Sequence, residues 1–191
     1  MPIHLPVGPP VTVDQILQSA QDLLNAAPPQ SRMRAASSTL SSVNVSPPYK
    51  SFVADARDVL ADRILIDARE TTWRYFLTHS DGEPFAVADV IDSEVSGVNE
   101  GPLVQASAAA MIAAEDFASG RESNYELRLL HLPSVYAMAV WLKAPGEDVI
   151  FPVAPAPTPL IANMPYGEEA YAKALRPVAE GRMRFGGQPK Q

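Results

Sequence analysis

The chain has 191 residues, 47% of them apolar, with a formal charge of −7, so it is long enough to build a domain with a sizeable core. It contains no cysteine, which excludes disulfides, thiol nucleophiles and cysteine-ligated zinc. The acids are concentrated in residues 49–154, where 17 of them face 8 bases, and an acidic body repels phosphate backbones, which argues against nucleic acid as a partner.

The first ten residues, MPIHLPVGPP, carry neither a basic nor a long apolar segment and so do not read as a secretory leader. The apolar run 133–142 is too short to span a bilayer, and the uncharged stretch 149–167 is interrupted by five prolines, which a spanning helix does not tolerate. The expectation is a soluble, cytoplasmic protein that engages no membrane.

Residues 1–47 read as a Pro/Ser-rich arm holding one amphipathic helix over 12–25. Thr12 and Gln15 have capping-box spacing. Val13, Ile16, Leu17, Ala20, Leu23 and Leu24 form an apolar stripe at helical spacing. That stripe has two readings, a face on the protein's own core or a face offered to a partner's groove. Residues 28–48 read as a linker.

Residues 48–154 read as an α+β core. Ser46 with Pro47 and Pro48 resembles a helix start, which predicts a helix at about 48–62. Residues 63–67 either extend that helix or begin a strand, and their Ile-Leu-Ile run favours the strand. A hairpin follows. TTWRYFLT (71–78) and FAVADVI (85–91) flank Asp81-Gly82, a strong turn signal between β-branched and aromatic runs. Residues 92–101 read as a loop. They briefly match a calcium loop, but Leu103 stands where a bidentate Glu is required, and the match fails. The alanine-rich segment Pro102–Ser119 reads as a helix ending at Gly120.

Two further strands follow at 125–132 and 134–143. The second is apolar on both faces, which predicts cover on both sides, by helices or by another subunit. Residues 149–153 complete a second hairpin, with Pro152 suggesting an edge position. Residues 155–191 form a Pro-rich connector, a helix at 166–180 that Pro177 is expected to bend or break, and a basic tail. The fold expected from these elements is α+β: an antiparallel sheet of about five or six strands, in two β-hairpins, packed on the Ala-rich helix and flanked by N- and C-terminal helices.

No pattern for catalysis, metal or nucleotide binding survives inspection. The three histidines, His4, His79 and His131, lack metal-ligand spacing, and the Gly-x-Ser-x-Gly elbow and both phosphate-binding glycine patterns are missing. No cofactor is implied and no catalytic residue is assigned. The chemistry points to a non-enzymatic protein–protein interaction or assembly module, acting on a protein partner or on itself as a homo-oligomer. Its docking residues would be Ile16, Leu17, Leu24, Tyr136 and Trp141. One alternative is a ligand-binding or enzyme domain whose aromatic pocket comprises Trp73, Tyr75 and His79. Another rests on the absence of Lys and Arg between Arg74 and Arg121, an interval with eight acids. Such a surface would suit a regulator of a basic partner.

Overall fold

The computed structural model describes residues 3–26 and 43–186; of the linker read over 28–48, residues 28–42 lie outside the described residues, as does the end of the basic tail, while Asn44–Val45 form a short strand. Nine strands and five α-helices lie among the described residues. In order they are β1 (Ile3–His4), α1 (Val13–Ala26), β2 (Asn44–Val45), β3 (Tyr49–Val53), α2 (Ala56–Leu60), α3 (Ile64–Asp67), β4 (Arg69–Thr78), β5 (Pro84–Ile91), β6 (Glu94–Glu100), α4 (Pro102–Ser119), β7 (Tyr125–Leu132), β8 (Ala137–Ala144), β9 (Glu147–Pro152) and α5 (Glu168–Gly186). The strands form one mixed sheet with main path β6-β5-β4-β3-β7-β8-β9, to which β1 and β2 attach beside β7 and β4. Among the described residues no helix is long and apolar enough to cross a membrane.

The expected antiparallel sheet of five or six strands is therefore corrected. The sheet has nine strands, and β1 runs parallel to β7. The additional strands arise where local signals pointed elsewhere. Residues 49–53 form β3 rather than the start of a helix, and the helix begins only after Asp55. That residue caps α2 in a capping box: its carboxylate accepts hydrogen bonds from the backbone N–H groups of Arg57 and Asp58, and the Asp58 carboxylate accepts from the Asp55 N–H. The segment read as a strand at 63–67 is α3, held by a two-pronged Arg63–Asp67 pair one helical turn apart. The segment read as a loop at 92–101 is β6. It follows a two-residue turn in which Asp92 and Ser93 both take positive φ, 49° and 69°, the arrangement that matches the twist of paired strands.

The contacts divide the chain into two compact units. One comprises residues 1–4, 51–71 and 109–191, the other residues 5–50 and 72–108. In the first unit β8 is buried along both faces. Val140 stands opposite Phe151 in register, and Trp141 opposite Ile150, so the two pairs point to opposite sides. Phe117 of α4 meets Phe151 edge-on, with ring centroids 5.5 Å apart. On the other face Trp141 and Ile150 join Phe52, Ile64, Leu65, Tyr171 and Leu175 in one core. Helices α2, α3 and α5 thus cover that side. The chain's own helices complete both faces of β8.

Pro177 lies inside a continuous α5. Its ring points to solvent, and Tyr171, Ala172, Leu175 and Ala179 anchor the opposite face, so tertiary packing holds the helix through the missing hydrogen bond. The backbone N–H of Leu65 also donates to Glu168 at 2.8 Å. At the far end of the sheet path, β9 exchanges two 2.8 Å hydrogen bonds between Ile150 and Tyr166.

In the second unit α1 packs on β4, β5 and β6. Its capping box forms as the spacing predicts: Thr12 N–H donates to Gln15 at 2.8 Å and Gln15 N–H donates to the Thr12 hydroxyl at 3.1 Å. Ile16 and Ala20 sink among Tyr75, Leu77, Phe85, Ala86, Ala88 and Val90.

Candidate functional site

The residues singled out from the sequence fall into three environments. Ile16 is 1% exposed and Trp141 is 2% exposed; each packs in the core of its own unit. Leu17 is half-buried, and the side chain of Leu24 lies outside the described residues. Trp73 and Tyr75 sit on the sheet face that α1 covers, within the same apolar cluster as Ile16. Lys50 lies over the Trp73 ring, 5.3 Å from its centroid. His79 is at the hairpin turn between β4 and β5. Its ring stacks on Phe85 at 4.5 Å, and its backbone exchanges turn hydrogen bonds with Gly82 and Glu83. The aromatic set read as a ligand pocket is thus distributed between a packed sheet face and a turn.

Among the described side chains of the set, only Tyr136 stands out into solvent, with 72% of its surface exposed. Local chemistry puts it there. Pro133 opens a short 3₁₀ turn, Val135 is buried beneath it, and the Tyr136 N–H closes the turn on the Pro133 carbonyl at 3.2 Å. The chain must then reverse into β8, and Tyr136 does so in the left-handed region at φ 52°, ψ 39°. That region costs a bulky residue roughly 1–2 kcal/mol. Across the ring lies the Arg182 guanidinium of α5, 4.2 Å from the centroid, a cation–π distance.

Further exposed apolar side chains occur in the same unit: Met183, beside Arg182 in sequence, and Ile161 and Met164 in the connector. The connector is tied to the sheet near the start of β8. Asn163 N–H donates to the Pro152 carbonyl, and Val153 N–H donates to the Met138 carbonyl, two residues beyond Tyr136.

The acidic interval divides differently. Asp89 is held by Arg74 at 2.6 Å and accepts from Asn99 at 3.0 Å. Asp81 accepts from the Glu83 N–H inside the hairpin turn, and Glu83 accepts from Gln105. These three acids serve the local structure. Asp92, Glu94, Glu115 and Asp116 are exposed. Among the described residues no group of three or more His, Asp or Glu is placed to hold a metal ion.

One polar cluster went unnoticed in the sequence. Glu147, at the start of β9, accepts from the buried Tyr125 hydroxyl at 2.6 Å, from Ser123 at 3.1 Å and from Arg121 at 2.9 Å. The Tyr125 hydrogen bond first, with help from Ser123 and Arg121, holds the Glu147 carboxyl below its ordinary range. Burial pushes the Tyr125 hydroxyl upward, and the Glu147 contact adds to that. Ser123 and Tyr125 share the segment leading into β7, but Glu147 lies across a strand pairing, so spacing along the chain carries no sign of the cluster.

Comparison with protein-family models, curated proteins and solved structures yields no match.

Proposed function

We propose that the protein is a non-enzymatic interaction module, and that it docks on a protein partner, or on a second copy of itself, through Tyr136 and its surroundings. The exposed Tyr136 ring carries this reading. A tyrosine in the left-handed region, lying open to solvent with an arginine on its face, spends stability on display. Tyrosine and arginine are also the residue types over-represented at the energetic centres of interfaces. Such residues offer a large, stiff contact area at little cost in side-chain freedom. Met183, next to Arg182 in sequence, is also exposed, and methionine is an adaptable apolar contact residue.

The test is a photo-activated cross-linker installed at position 136, compared with one at the exposed position Lys173 on the same unit. The expected result is a discrete adduct from position 136 only, either a dimer of the purified chain or one defined species in extract. Tyr136→Ser in the competing protein should fail to suppress that adduct, whereas unlabelled wild type suppresses it. Equal, diffuse labelling from both positions, with a monomer by light scattering, would sink the proposal.

A further inference from the structure

We propose that the groove between α1 and β6 receives an extended, basic segment of a partner protein, added to the sheet as a further strand. This surface belongs to the second unit and is independent of Tyr136.

β6 is the last strand on the sheet path, and β5 is its only strand partner among the described residues. Among the described residues no strand pairs with its other side over 94–99, where a ladder partner would meet alternate backbone N–H and carbonyl groups. α1 packs against β6, and between them lies a groove of about 270 Å³ lined by Val11, Gln15, Gln18, Ser19, Glu94 and Val95. An edge strand flanked by a helix is the geometry in which extended peptides add to a sheet. The ladder then supplies affinity, and the flanking side chains supply selectivity.

Charge selects the occupant. α1 contributes Asp14 and Asp22, the β5–β6 turn contributes Asp92, and β6 contributes Glu94; all four are exposed. No Lys or Arg occurs in α1, β5 or β6. A second copy offering the same edge would set acid against acid, which cross-strand pairing penalises. A strand with alternating Lys or Arg sets its charges on the side of Glu94, while its intervening apolar residues point to the other side, toward Val11 and Val95. A helical ligand would leave the β6 backbone groups without ladder partners. An anionic ligand would be repelled.

The experiment uses the full-length chain and fluorescence polarisation with three labelled octapeptides. One alternates Lys and Val, one alternates Glu and Val, and one is the Lys/Val peptide with proline at two inner positions. The Lys/Val peptide should bind saturably, at least about tenfold more tightly than either control, and should weaken as salt rises. Glu94→Lys, at an exposed position, should weaken it at least about tenfold with an unchanged thermal melt. Tyr136→Ser should leave it unaltered, which separates this surface from the one above. Backbone amide shifts should centre on residues 94–99 and 11–19. Equal binding of the proline-interrupted peptide would show attraction by charge alone and overturn the added-strand mode. So would shifts centred elsewhere, or no saturable binding up to about 1 mM peptide.

Discussion

Gly8 is placed where nothing larger fits. A β-carbon there would lie 2.6 Å from Pro48 Cγ and 2.8 Å from the Tyr75 hydroxyl, and neither a proline ring nor a packed tyrosine gives way cheaply. Gly8→Ala is expected to destabilise the protein by about 1–3 kcal/mol, measured by urea unfolding. The opposite sign is expected at Tyr171. Its hydroxyl is buried with no hydrogen-bond partner among the described residues, and burial drives its acidity far from the usual range. Tyr171→Phe removes that unsatisfied group and keeps the ring, so stability should rise by about 1 kcal/mol. Glu147 adds a pH dependence. Its carboxyl titrates below its ordinary value when folded, so the stabilisation is present above the unfolded value and is lost as pH falls through the folded one. Glu147→Gln removes this contribution. The stability gap between wild type and variant should be widest near neutrality and should close on acidification, as followed by thermal melts across pH. A gap independent of pH would contradict this account of the carboxylate.

At the scale of the element, α2 is five residues long and depends on its cap. Asp55→Ala removes the acceptor for two backbone N–H groups, and a loss of about 1 kcal/mol is expected in thermal or urea unfolding. Asp55→Asn should recover most of it. The same helix shows where sequence signals compete. Ser46-Pro47-Pro48 has the form of a helix start, yet Ser46 pairs with Phe76: its N–H donates to the Phe76 carbonyl, and its hydroxyl accepts from the Phe76 N–H. A contact thirty residues away outweighs the local signal. β6 was hidden for another reason. Val95 and Val98 both pack on the unit's core although they are three residues apart, because the ladder shifts register between Asp89 and Val90. The bulge breaks the two-residue alternation by which a strand is recognised. Where alternation or helical periodicity was uninterrupted, as in β7, α4 and α1, the element and its bounds were legible. The Asp81-Gly82 hairpin was legible because its turn chemistry is local.

Over the whole molecule, what could not be read was the pairing of distant segments. β1 joins β7 across more than a hundred residues, and β2 joins β4 past β3, α2 and α3; no local pattern encodes either choice. The double burial of β8 was legible as a need for cover on both faces, but not as to who provides it. The register of β8 on β9, together with Phe117 and Trp141, assigns that cover to the chain's own helices. The two surfaces left to partners are of different kinds. One is an aromatic ring with an arginine on its face, and the other is a strand edge with an exposed carboxylate, Glu94. Of the residues proposed for docking, Tyr136 is legible in the sequence as an aromatic next to an apolar strand, whereas Arg182 across its ring and the β6 edge are brought into view only by the fold.

The left-handed backbone at Tyr136 sets durability against sociability. Glycine adopts φ 52° without strain, so Tyr136→Gly should recover about 1 kcal/mol, even after losing the Arg182 contact, and should raise the melting temperature. The same exchange deletes the ring. A screen for heat-resistant variants should therefore enrich glycine at this position, and the enriched proteins, added as unlabelled competitors, should fail to suppress the adduct formed from position 136. If glycine proves both hardier and equally able to associate, the tyrosine is on the surface for a reason other than docking.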